Sequence, residues 1–329
     1  MGTSETLKAL ELVIERSDGG GPVAKALLRK KFQKAFREGR FREPDDPDWK
    51  FRICCAKLMM GIYEWDGWEY RDPWAQMLWL NPSAIGKPMW RGEPGRRVLI
   101  LGEQGLGDEV MFASCIPEIQ KTNHVGITVS TRLMSLFERN FGCPVYDRRE
   151  GKELSRAREL IPGYDCYIGI GDLPRILRWK ASDFPGSPYL TADPDRLEDV
   201  EPYRGKVGIS WRGRNGFYPL RDFPAGISLQ YDPAWDEEAE QPHIDVRNDM
   251  EGLVALISVL DKVVCVSTTA AHFAGAIGKR VDVITAPVQT ARSKNQMNWR
   301  WTRGPTSPWY KCATVFPSLE QWKRSNKWA

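Results

Sequence analysis

One stretch constrains the chain more than any other. Arg97-Val98-Leu99-Ile100-Leu101 is a short continuous apolar run, and Gly102-Glu103-Gln104-Gly105-Leu106-Gly107-Asp108-Glu109-Val110 follows it directly. An apolar run bounded by glycines reads as a buried strand of a parallel sheet, and the sequence after it reads as a turn opening a helix. Gly105 and Gly107 are expected to let the backbone turn tightly and approach a ligand. Asp108 then falls in the first helical turn, at the carboxyl end of the strand, where open parallel sheets hold their ligands. A first-turn carboxylate also serves simply to complement the helix macrodipole, so the spacing alone leaves both roles open. The run lacks the Gly-x-Gly-x-x-Gly order of a dinucleotide site, which disfavours a nicotinamide-dependent oxidoreductase.

From Arg96 onward, short apolar strands alternate with helices, the pattern of parallel α/β architecture. Strands are expected at 97–102, 125–130 and 164–170, with helices at 107–120 and 132–140 between them. A second α/β unit takes strands at 207–211, 227–230, 262–266 and 280–285 and helices at 249–260 and 268–277. The organisation predicted is a helical, repeat-like region over 1–90, a first Rossmann-like lobe over 91–200, a second over 201–305 and a tail helix over 306–329. With 329 residues there is enough chain for two lobes with their own cores.

Two further segments carry chemistry. Val263-Val264-Cys265-Val266 ends in Ser267-Thr268-Thr269 and continues as Ala270-Ala271-His272-Phe273-Ala274-Gly275. Amides and hydroxyls converge at such a helix start, where a phosphate can sit, although Ser267 or Thr268 as a plain N-cap explains the same residues. His272 lies one turn in, a position equally suited to a packed structural histidine. The strand Val207-Gly208-Ile209-Ser210-Trp211 delivers Arg212 and Arg214 into a Gly-rich loop, and Gln230 ends the Ser228-Leu229-Gln230 strand. Guanidinium forks suit a diphosphate, and solvated loop arginines are the plainer reading.

In this order the segments resemble the heptosyltransferase-like glycosyltransferases, above all the bacterial and phage members that follow tetratricopeptide repeats. The resemblance runs from about Trp90 to Trp309. It rests on Glu103 to Asp108, Gly208 to Trp211, Ser228 to Gln230, Thr268 to Gly278, Trp299 to Trp301 and Ser307 to Tyr310. It implies a GT-B fold and an inverting transfer from a nucleotide-sugar with no catalytic metal and no other cofactor. Asp108 takes the place of the family's base, in a loop with Gln104, Gly105 and Gly107 on the acceptor side. Trp211, Arg212, Arg214, Gln230, Ser267, Thr268, Thr269 and His272 take the donor side. Many relatives have an aspartate where Ser267 stands, so any role of that carboxylate is absent or displaced. The repeat array is missing too, because Gly61 to Tyr70 reads as a final degenerate repeat and an array needs several units.

The acceptor is less constrained. Between Lys25 and Arg42 stand eight cations, Lys30, Lys31, Lys34 and Arg37 among them, against Glu38. Such a run, in a chain with 14 tryptophans, suits a polyanion, so a hydroxymethylated pyrimidine in duplex DNA is one expected acceptor. Glycans, lipopolysaccharide and proteins are the others, and a solvated basic face or attraction to anionic lipid are the competing uses of the run. A scaffold that keeps the fold and binds nucleotide without catalysis is the rival from another class. The acidic pairs at Asp46-Pro47-Asp48 and Asp193-Pro194-Asp195 sit in proline turns, not after a buried strand, and read as turn chemistry rather than as a metal motif. Seven scattered cysteines without metal spacing read as free buried thiols. With no signal-peptide pattern in Met1 to Arg16 and no apolar stretch near the roughly 20 residues of a membrane span, the expected compartment is the cytoplasm.

Overall fold

A computed structural model describes residues 47–326 except 60, 214–215, 231–238, 286–287, 290–298 and 302–304. The basic run at 25–42, with Lys30, Lys31, Lys34 and Arg37, lies outside the described residues, and so does Arg214.

The two lobes are each built on a parallel sheet. The first contains β1 (Arg97–Leu101), β2 (His124–Val129), β3 (Val145–Asp147) and β4 (Cys166–Gly169) in the order β3-β2-β1-β4. After its first residue β1 is buried throughout, as expected for a strand covered on both faces. In the second lobe, β5 (Val207–Ser210) continues into a small antiparallel ribbon made by β6 (Arg212–Gly213), β7 (Gly216–Phe217) and, later in the chain, β11 (Val288–Gln289). The second parallel sheet adds β8 (Ile227–Ser228), β9 (Lys262–Val266), β10 (Val281–Ile284) and β12 (Ala313–Phe316), in the order β12-β10-β9-β5-β8. The two units make the pair of parallel α/β lobes expected from the sequence. In the first the strand order reverses between β1 and β4, and in the second between β5 and β9, the points near which open parallel sheets hold ligands.

The helical region before the lobes consists of α1 (Pro47–Met59) and α2 (Pro73–Leu80), joined by an aromatic-rich single turn. Asp72 caps α2, its carboxylate accepting from the Ala75 amide at 2.8 Å. This region packs onto the first lobe. Trp65 and Trp68 are buried, and their indoles donate to the carbonyls of Arg178 and Gly171 at 2.7 and 2.6 Å.

The remaining helices that matter here are α3 (Leu106–Phe112) and α4 (Met134–Phe141) in the first lobe, and α5 (Met250–Val259), α6 (Thr269–Ala276) and α7 (Leu319–Ser325) in the second. Residues 306–329, expected as a tail helix, hold β12 before α7. The strand pairs with β10 from Val281–Ala313 to Ile284–Phe316, so the end of the chain completes the second sheet. The helix expected over 107–120 breaks after Phe112, and a short turn leads into a separate segment at Ile116–Ile119. Among the described residues no helix is long and apolar enough to cross a membrane.

Candidate functional site between two helix starts

The turn between β1 and α3 differs in one respect from its sequence reading. Neither Gly105 nor Gly107 has a left-handed backbone; Gln104 does, at φ 62°. A non-glycine residue there is held from outside, in this case by Arg148, whose Nη1 donates to the Gln104 carbonyl at 3.1 Å. Gly107 is needed for packing rather than turning. A Cβ at that position would stand 2.9 Å from Cδ2 of His272 and 3.4 Å from the Thr269 Cα, both on α6 of the other lobe. The starts of α3 and α6 therefore meet across the lobe boundary, and Asp108 lies at the meeting point.

Two buried ion networks hold the Asp108 turn. Arg71, from the aromatic-rich turn, donates to both carboxylate oxygens of Glu103 at 2.8 and 2.5 Å and to both of Asp172 at 3.0 and 3.1 Å. All three side chains are 0% exposed. Because Glu103 follows β1 and Asp172 follows β4, this triad fills the reversal point of the first sheet. On the other side of Asp108, Glu109 accepts from Arg148 at 2.8 Å and from the Ser130 amide at 3.0 Å. Burial pushes the Glu109 carboxyl up to about 7, with Arg148 pulling it back only in part.

In the second lobe the two loops at the reversal point touch each other. A Cβ on Gly213 would lie 3.1 Å from the Thr268 methyl and 3.2 Å from the Ser267 carbonyl, so glycine lets the arginine-bearing loop approach the start of α6. Gln230 fixes that loop. Its Oε1 accepts from the Arg212 amide at 3.2 Å and from the Ser210 hydroxyl at 3.3 Å, and its Nε2 donates to the Arg212 carbonyl at 3.0 Å. Trp211 is packed inside the second lobe with Tyr218 and Phe223. The Arg212 guanidinium lies 5.1 Å above the Phe217 ring.

Thr268 occupies the N-cap of α6 with extended backbone, yet its hydroxyl makes no capping bond. Its Oγ1 is buried without an oxygen or nitrogen partner among the described residues. Ser267 does not cap the helix either; its hydroxyl accepts from the Trp301 indole at 2.8 Å. The plain N-cap reading of these two hydroxyls is thus not what the fold uses. His272 is buried, shares a 3.0 Å hydrogen bond with the Tyr310 hydroxyl and stacks on Trp301, with ring centres 5.3 Å apart. Burial lowers its pKa to about 4, with the Asp108 carboxylate raising it and the Arg300 guanidinium lowering it to smaller extents, so the ring is neutral near pH 7.

Sequence reasoning missed Arg300. Its Nε donates to Asp108 Oδ1 at 2.6 Å, with the two side chains 21% and 13% exposed. The flanking Trp299 and Trp301 were visible as a motif, and the residue between them was the available signal.

No protein-family model matches the chain. Protein FlbA of Caulobacter vibrioides is 30% identical over 335 aligned residues, covering 85% of this chain and 54% of FlbA. The chain therefore spans about half the length of that curated relative. Among solved structures, a glycosyl transferase family 9 protein of Veillonella parvula is similar at 10% identity and a TM-score of 0.48, covering 74% of this chain and 94% of its own. E. coli ADP-heptose lps heptosyltransferase II follows at 10% and 0.47, with 70% and 97% covered. E. coli heptosyltransferase WaaC with ADP-2-deoxy-2-fluoro heptose follows at 12% and 0.44, with 70% and 99% covered.

Proposed function

We propose that the chain is a glycosyltransferase that moves a sugar from a nucleotide-sugar to an acceptor hydroxyl, with Asp108 as general base. The observation that carries this reading is the placement of Asp108 in the first turn of α3, beside Gly107, which meets the start of α6, a helix start that neither Ser267 nor Thr268 caps. A carboxylate and an uncapped helix start, facing each other from two lobes, suit a reaction that removes a proton on one side and gathers negative charge on the other.

In the proposed step Asp108 accepts the acceptor O–H proton while that oxygen bonds to the anomeric carbon. The bond from that carbon to the diphosphate oxygen breaks, and its electron pair leaves with the nucleoside diphosphate. One displacement inverts the anomeric centre. The amides and hydroxyls of Thr268 and Thr269, with Arg212, face the charge that develops on the diphosphate, a role that requires no metal. His272, neutral and bonded to Tyr310, positions the α6 start rather than moving a proton.

For the acceptor, the support is the basic run with Lys30, Lys31, Lys34 and Arg37, which favours a polyanion and hence a hydroxymethylated pyrimidine in DNA. The test measures nucleoside diphosphate released from adenosine, uridine, guanosine and thymidine diphosphate sugars, with and without hydroxymethylated duplex DNA. Asp108→Asn is expected to lower release by about 10² to 10⁴ without loss of nucleotide binding. Stimulation by DNA that fades with added salt assigns the acceptor. Release that responds instead to glycan or protein hydroxyls assigns it to those classes. Nucleotide binding without release, in parent and variant alike, makes the chain a scaffold.

A further inference from the structure

Arg300 is held at its backbone from both sides while its side chain stays partly free. Trp299 stacks on Phe112 of α3, with ring centres 6.1 Å apart and planes 10° apart, and meets Trp68 edge-on at 4.7 Å. Trp301 stacks on His272 of α6 and donates to Ser267. One tryptophan thus anchors in each lobe, and the residue between them stands over the boundary. The Arg300 guanidinium lies 4.4 Å above the Trp299 ring and spends Nε on Asp108, while its Nη1 and Nη2 bond to no described residue. While the guanidinium holds Asp108 Oδ1 at 2.6 Å, that oxygen is not free to receive the proton of an acceptor hydroxyl. A diphosphate at the start of α6 would arrive one residue from the Trp301–Ser267 bond and would compete for the same guanidinium, with more charge and more oxygens than a carboxylate has.

We infer that Arg300 is an exchange residue: paired with Asp108 before the donor binds, it transfers to the donor's diphosphate and thereby frees Asp108 as a base only when the donor is in place. The inference rests on the glycosyltransferase reading above, and it makes the order of events, donor first and base second, a property of one side chain.

The experiment is an equilibrium titration with the nucleoside diphosphate that the parent protein binds, at low ionic strength, in a double-mutant cycle. Asp108→Asn removes the competing partner, so it is expected to tighten diphosphate binding by about 3- to 10-fold, whereas Arg300→Met weakens it by about 10- to 30-fold. In the Arg300→Met background Asp108→Asn should then change affinity by less than about twofold. Arg300→Lys keeps the charge without the fork and should fall between parent and Met; it also carries the test if the Met variant does not fold. Arg139→Met serves as the control, because Arg139 of α4 bridges to Glu251 of α5 at 2.6 Å, a pair joining the lobes elsewhere. It should leave diphosphate affinity unchanged. Exchange is refuted if Asp108→Asn leaves binding unchanged or weakens it, or if its effect persists at full size without Arg300. A parent protein that binds none of the diphosphates fails in a different way, because that result removes the donor site itself.

Discussion

The Asp108 turn of the first lobe and the Thr268 helix start of the second are built from opposite materials. Around Asp108 the fold uses charge, with Arg71 between Glu103 and Asp172 on one side and Arg148 against Glu109 on the other. Around Thr268 the bonds are neutral: Gln230 to the Arg212 backbone, Trp301 to Ser267, and His272 to Tyr310. The difference suits what the proposed reaction asks of each side. A carboxylate that is to act on a proton has to be placed accurately, and buried ion pairs with fixed fork geometry do that at a high cost in desolvation. A site for a diphosphate gains nothing from resident carboxylates, which would repel the ligand, so neutral donors and packed rings hold it instead.

The sharpest way to break the comparison is to remove a charge from the first lobe. Arg71→Met leaves Glu103 and Asp172 buried without their shared cation, and the loss in stability is expected to be about 3–5 kcal/mol. Urea unfolding of parent and variant near pH 7 measures it. A loss below about 1 kcal/mol would mean that the triad does not carry the turn. Because Arg71 comes from the region before the lobes, the same result would show that this helical region is part of the frame that holds the Asp108 turn.

The second prediction uses pH to read the neutral side. His272 titrates in the fold at about 4, below its ordinary value of 6.5. Between those values the unfolded chain binds more protons than the folded one, so the stability tied to this ring is fully present above about pH 6.5 and is lost as pH falls toward 4. The loss at pH 4 amounts to about 3 kcal/mol for a group this deeply buried. Glu109 runs the other way. Its folded pKa near 7 lies above the ordinary carboxylate value of 4.5, so its contribution declines as pH rises through that window. The two slopes oppose each other in the parent protein, and His272→Gln separates them. Its stability relative to the parent should improve steadily as pH is lowered from 7 to 4, followed by denaturant titration at each pH. A difference independent of pH would mean that the ring is not buried neutral.

The contrast between the lobes also explains what was legible in the sequence. The strand before Asp108 was legible because Val98 to Leu101 is continuously apolar and then stops at glycine. The α6 start was legible for the same reason after Val263 to Val266. Both are local signals. By contrast, β3 has three residues and no pattern to detect, and β12 lies in a stretch that ends in a helix, so Ala313 to Phe316 was absorbed into an expected tail. The ion networks are invisible for another reason. Arg71 meets Glu103 across 32 residues and Asp172 across 101, and Arg300 meets Asp108 across 192, so no spacing rule links the partners. Charge pairing leaves no periodicity, and it is charge that builds the first-lobe half of the site.

The smallest effect expected tests whether the two halves need to be in contact at all. Gly107→Ala adds one methyl, 2.9 Å from the His272 ring, at the point where α3 and α6 meet. Neither lobe is altered internally, because the backbone at 107 is not left-handed and alanine favours helix more than glycine does. The cost is therefore confined to the boundary, about 1–3 kcal/mol if the lobes cannot separate by a few tenths of an ångström and close to nothing if they can. Thermal unfolding and diphosphate release distinguish these cases. Unchanged stability with release lowered by about tenfold means that the lobes part slightly and carry Asp108 away from the donor side, since small misplacements of a base are costly. Unchanged stability with unchanged release would show that the contact at Gly107 does not set the reacting distance, and the case for catalysis at this boundary would then rest on Asp108 and Arg300 alone.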